Sequence, residues 1–112
     1  TAPTVLVNIS NIAWFGDSIA IDQHLQISRM RALEFERPML RATNTGATVV
    51  IDHRAVVTAS LPSSVQDVLL AEVQGRDGLT PFSRWVSRWG LVPLWLFCVA
   101  VVAWCAKQRK KI

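Results

Sequence analysis

The run LVPLWLFCVAVVAWCA, from Leu91 to Ala106, carries no charged side chain, and it constrains this chain more than any other stretch. Counted from Trp89 it makes a helix of roughly 27 Å at 1.5 Å per residue, against about 30 Å of hydrocarbon in a bilayer. Trp85 and Trp89 precede it and Trp104 lies near its end. Amphipathic indoles favour those headgroup levels. Pro93 falls in the first helical turn, where a missing N–H costs little. A buried core helix could share this composition, but the KQRKK that follows would be an odd neighbour for a core. The run is therefore expected to cross a membrane.

The chain has 112 residues and a formal charge of +4, which by itself would suit nucleic acid. The distribution argues otherwise. Acidic residues balance arginines up to Ala106, and the whole excess is Lys107, Arg109, Lys110 and Lys111. Such a cluster beside a span stays cytoplasmic and meets anionic headgroups. Nucleic acid is thus not expected as a partner. Residues 1–74 read as part of a domain, 75–88 as a linker, 89–106 as the span and 107–112 as a basic cytoplasmic tail, with residues 1 to about 85 outside the cytoplasm.

Little in the chain offers covalent chemistry. Cys98 and Cys105 both lie in the span, where cysteine serves as a small hydrophobe. His24 and His53 are isolated, without ligand spacing, so neither a metal nor another cofactor is expected. There is no G-x-S-x-G and no phosphate-cradling loop. Every lysine belongs to the tail. The residues before the span therefore offer positioning rather than a nucleophile. The chain opens on Thr1, directly before a strand, and reads as the end of a longer polypeptide.

Those residues alternate strand and helix. Thr4–Ser10 is apolar or β-branched at most positions, as in a strand covered on both faces. Asp17 and Ser18 offer capping chemistry to a helix over residues 19–37, ended by Pro38. Leu25, Ser28, Ala32 and Phe35 form its inner stripe, which Met30 and Leu33 widen. Arg29, Arg31, Glu34, Glu36 and Arg37 fall partly on the wet side. Met39–Thr43 is a strand running into the turn Asn44–Gly46. Ala47–Ile51 and Ala55–Ala59 make a hairpin around Asp52–Arg54 without the usual glycine. Val68–Val73 reads as a last strand. Strand–helix–strand order implies a parallel pair, and the hairpin makes the sheet mixed. Between the first strand and the helix, SNIAWFGDS sets Trp14 and Phe15 beside Gly16: a core plug, or the wall of a site.

The blocks NISNIAWFGDS, QHLQISRMRALEFERPMLRATNTG and GLTPFSRW, followed by a Trp-rich span, resemble the C-terminal part of the bacterial apolipoprotein N-acyltransferases, a branch of the nitrilase (carbon-nitrogen hydrolase) superfamily. The resemblance implies an α/β class, the C-terminal part of a nitrilase-like α-β-β-α sandwich followed by one transmembrane helix. It implies transfer of an acyl chain from a phospholipid donor to the N-terminal diacylglyceryl-cysteine of an apolipoprotein acceptor, through a cysteine thioester. The family's Glu–Lys–Cys triad would lie upstream of Thr1, so no catalytic residue is expected here and the chain alone would be inactive. Asn11, Trp14, Phe15 and Asn44 would be substrate-proximal. Glu34 would be a structural partner of Arg29, Arg31 or Arg41. Membrane lipids and the N-terminal remainder of the same polypeptide would be further partners. The location implied is the bacterial inner membrane, with the globular part periplasmic and the C-terminus cytoplasmic.

Relatives usually carry Asp at the position of Ile12, a second Asn at that of Thr45 and Tyr at that of Phe82. Two alternatives stay open beside the acyltransferase. One is a non-catalytic, membrane-tethered interaction module or degenerate copy on the same scaffold. The other is an amidase acting on a soluble substrate.

Overall fold

The computed structural model describes residues 2–110. The chain divides at Thr80/Pro81 into two compact units. In the first, strand β1 (Leu6–Ser10) leads through a short 3-10 turn (Ala13–Phe15) to helix α1 (Ala20–Phe35) and strand β2 (Met39–Thr43), followed by β3 (Val49–Ile51) and β4 (Val57–Ser60). The sheet order is β1-β2-β3-β4. β1 and β2 are parallel, with Leu6 opposite Met39 and Ser10 opposite Thr43, and α1 supplies the crossover such a pair requires. β2/β3 and β3/β4 are antiparallel, with a bulge at Val50/Ile51. The sheet is mixed, as the element order predicts.

One face of the sheet holds the core. Ala32 of α1 packs on Met39, Val49 and Ile51, with Leu6, Leu25, Ala47 and Val57 around them. Ser28 and Ala32 are small enough to let the helix approach the strands closely, and both are buried. Met30 and Leu33, expected to widen this stripe, are instead nearly half exposed.

The ends of α1 follow local chemistry. At the start, Ser18 accepts from Ile21 N–H through its carbonyl and from Ala20 N–H through its hydroxyl. At the end, Glu36 adopts the left-handed conformation (φ 47°). Its N–H reaches the Leu33 carbonyl at 3.2 Å and that of Arg37 the Ala32 carbonyl at 3.0 Å. This is the paired-bond helix stop that usually uses glycine. The stop turns Arg37 inward. Expected on the wet side, Arg37 is only 5% exposed, because its guanidinium serves backbone carbonyls from three segments. Nε donates to Pro3 at 2.8 Å, Nη2 to Gly78 at 2.6 Å and Nη1 to Phe35 at 3.2 Å.

The β3–β4 turn resolves its missing glycine in two ways. Ala55 takes the left-handed conformation (φ 65°). Asp52 Oδ1 accepts from Arg54 N–H at 2.9 Å and Val56 N–H at 2.8 Å.

Two strand expectations need correction. β1 is not covered on both faces: Val7 is 66% and Ile9 84% exposed. Residues 68–73 form no strand. Instead Val68, Leu69 and Ala71 line, with Val7, Leu40, Ala42 and Val50, a cavity of about 350 Å³. The segment then returns to the start of the unit, where Arg76 N–H donates to the Thr4 carbonyl. Apolar, β-branched composition favours a half-buried surface as much as strand pairing; here it serves the surface without the pairing.

The second unit holds helices α2 (Pro81–Arg88) and α3 (Val92–Arg109). α2 lies within the stretch read as a linker. α3 has mean hydropathy 1.2 over 18 residues and none of them is buried, so by length and composition it can cross a membrane. Pro93 sits in its first turn, and Lys107 and Arg109 in its last. The end of the basic tail, Lys111 and Ile112, lies outside the described residues.

Candidate functional site

Because β1 and β2 are parallel, the loops leaving Ser10 and Thr43 emerge at the same edge of the sheet. The carboxyl ends of parallel strands are where open α/β sheets hold their ligands. Here the structure brings Asn11 and Asn44 together. Asn44 Nδ2 donates to Asn11 Oδ1 at 2.8 Å. Asn44 Oδ1 accepts from Ile12 N–H at 3.1 Å and Thr45 N–H at 3.0 Å. Asn11 Oδ1 also accepts from Ala13 N–H at 3.3 Å. Two amide side chains thus organise three backbone N–H groups and each other.

The loop tightens from there into its 3-10 turn. Phe15 N–H reaches the Ile12 carbonyl and Gly16 N–H the Ala13 carbonyl. Gly16 then reverses the chain at φ 59°, a conformation that costs glycine nothing. Ile12 points inward and is 2% exposed, packed over Gly46. Trp14 points outward and is 83% exposed. Phe15 is half exposed, its ring 6.0 Å from that of His24 and tilted by 40°, which ties the loop to α1. Among the hydrophobic residues of this loop, the plug is Ile12, and Trp14 is not.

Beside the loop, Ala13, Gly16, Asp17, Ile21, Thr45 and Ser64 line a recess of about 120 Å³. Ser64 N–H donates to the Thr45 carbonyl at 3.2 Å, fastening the 61–66 segment to the same turn. The Thr45 hydroxyl is buried there without a hydrogen-bond partner among the described residues.

Underneath, Arg41 joins the turn to the helix. Its Nη1 donates to the His24 carbonyl at 2.7 Å and to Ser28 Oγ at 2.5 Å, and its Nε to the Ala47 carbonyl at 3.2 Å. Burial pushes its pKa down from the ordinary arginine value, yet neutral acceptors still hold the charged group in place. Glu34 pairs with Arg31, N to O 2.6 Å, while Arg29 Nε donates to the Ala55 carbonyl at 2.8 Å.

Sequence reasoning named Asn11, Trp14, Phe15 and Asn44 but missed Arg41 as an organiser of the same edge. Its signal was a lone charge inside a strand otherwise made of Met39, Leu40, Ala42 and Thr43. The arrangement supplies an ordered loop and an outward indole. Among the described residues no group of three or more His, Cys, Asp or Glu could hold a metal ion.

A family model described as carbon-nitrogen hydrolase matches residues 3–80. Curated relatives share the chain's sequence beyond that segment. An apolipoprotein N-acyltransferase of Verminephrobacter eiseniae is 57% identical over 97% of this chain and 22% of its own length. That of Ralstonia nicotianae is 64% identical over 72% of this chain and 16% of its own length. That of Bordetella bronchiseptica is 46% identical over 96% and 20%. The chain therefore spans about a fifth of the relatives it matches.

Proposed function

The chain belongs to the carbon-nitrogen hydrolase family, and from that premise we propose that it is the C-terminal part of a membrane apolipoprotein N-acyltransferase. The observation that carries this reading is the 57% identity, sustained over 97% of the chain, to a relative of that name. The apolar α3 suits an enzyme whose acyl donor is a membrane phospholipid.

In this reading the Glu, Lys and Cys of the family come from residues outside this chain. The thiolate takes the acyl group from the phospholipid ester, releasing a lysophospholipid. The lipoprotein α-amine then attacks the thioester and regenerates the thiol. This chain supports the transfer by shaping one wall of the site. Asn11 and Asn44 set the loop, and Trp14 and Phe15 offer apolar surface to an acyl chain. The first unit faces the periplasm and the basic end of α3 the cytoplasm.

The test is rescue of a strain deficient in lipoprotein N-acylation by the complete gene. Wild type should rescue, and a version with the nucleophilic cysteine replaced should not; equal rescue by both would refute thiol catalysis. Trp14→Ala should leave stability within about 0.5 kcal/mol, as for an exposed side chain. Losing an apolar contact worth about 1.5–3 kcal/mol should slow acyl transfer about ten- to hundredfold. Unchanged transfer would remove Trp14 from the site. A reporter fused after Ile112 should be active only in the cytoplasm, and periplasmic activity would reverse the topology.

A further inference from the structure

α2 sorts its side chains cleanly. At 100° per residue, Phe82, Trp85, Val86 and, one residue past the end of α2, Trp89 fall on one arc, and Ser83, Arg84, Ser87 and Arg88 on the other. On the apolar side Trp85, Val86 and Trp89 are 38%, 44% and 59% exposed. The polar side carries two cations, and α2 contains no acid. A helix of eight residues is well below the length that holds in water unaided, so a surface that takes its apolar face would stabilise it.

The join to α3 gives a second, independent observation. Trp89 N–H reaches the Trp85 carbonyl at 2.8 Å and Gly90 N–H the Val86 carbonyl at 3.2 Å, and Gly90 then turns left-handed at φ 53°. A left-handed residue after the last turn ends a helix. α2 and α3 are therefore separate helices rather than one rod, and α2 need not follow α3 into the hydrocarbon.

We propose that α2 is an interfacial helix lying along the periplasmic membrane–water boundary, its Trp85–Val86–Trp89 face in the acyl boundary and Arg84 and Arg88 on anionic headgroups. The proposal rests on reading α3 as a span. Continuity with that span puts a lipid surface within reach of α2, and its two arginines suit anionic lipid. Segregated faces with Trp and Arg are the composition of helices that lie in an interface.

The test uses the full-length protein, any tryptophan outside this chain replaced by phenylalanine, in nanodiscs of phosphatidylcholine and phosphatidylglycerol. One variant keeps Trp85 alone (Trp14→Phe, Trp89→Phe, Trp95→Phe, Trp104→Phe), and a second keeps Trp95 alone. Each is quenched by phospholipids brominated near the headgroup or near the chain end. Trp85 should be quenched about twofold or more better by the shallow bromines, as expected of an interfacial helix, and Trp95 better by the deep ones. Trp85 quenched by neither would overturn the proposal. Trp95 quenched by neither would instead overturn the span, a separate failure. Replacing Arg84→Gln and Arg88→Gln should remove at least about half of the extra quenching gained with phosphatidylglycerol. An unchanged gain would overturn the headgroup contact.

Discussion

Ile12 and Gly46 fit each other as plug and socket. A Cβ built on Gly46 would stand 2.9 Å from Ile12 Cγ1 and closer still to Cδ1. The absent side chain on one loop is thus matched to the buried side chain on the other, and the fit sets how closely the two loops meet at the carboxyl ends of β1 and β2.

Gly46→Ala should therefore destabilise the first unit by about 1–3 kcal/mol through overpacking. Ile12→Val, which shortens the plug, should recover part of that loss when combined with it. Chemical denaturation of the two single variants and the double variant measures this as a coupling energy. Additive losses would show that the two residues do not act through each other.

Asn44 is the second prediction. Its side chain accepts from Ile12 and Thr45 N–H and donates to Asn11, so Asn44→Ala should free the loop from the sheet edge. Amide exchange at Ile12 and Ala13 should accelerate about tenfold or more, while that of Leu40 and Ala42 stays slow, as in local opening. Asn44→Asp keeps the acceptor and should retain protection at Ile12. Uniform acceleration through the sheet would mean that Asn44 stabilises the whole unit rather than the loop.

Acid sensitivity is the third. Hydrogen bonds from Val56 N–H and, after it, Arg54 N–H hold the Asp52 carboxyl below the ordinary aspartate range, against the opposing effect of burial. A carboxyl depressed in the folded state contributes stability that is present at neutral pH and lost as pH falls through the folded value, below about pH 4. Thermal unfolding of the chain across the acid range should show this loss, and Asp52→Asn should flatten that limb. Parallel profiles for the two proteins would show that Asp52 is not linked to stability.

Much of the fold could be read from residue patterns because the relevant forces are local. Periodicity placed β1, α1 and β2, and uncharged length placed α3. The turn at Asn44–Gly46 followed from its residue types. What escaped the sequence depended on partners distant along the chain. Val68–Val73 has the composition of a strand but finds a sheet face instead of an edge. Arg37 looks solvated until the left-handed Glu36 turns it inward to Pro3 and Gly78. At the site, Asn11 and Asn44 could be placed at one edge, but their mutual hydrogen bond depends on the register of β1 against β2. Ile12 among small and polar neighbours gave no local sign that Gly46, across the loop, was its socket.

The Arg37 guanidinium has a mechanical consequence. Its bonds to the Pro3 and Gly78 carbonyls hold together two segments separated by most of the first unit. The Arg76–Thr4 bond adds a backbone link beside them. Tension transmitted along the chain from α3 meets this fastening before it meets the sheet. Pulling on α3 would therefore load bonds at the C-terminal end of α1, where Thr80 Oγ1 also donates to the Glu34 carbonyl.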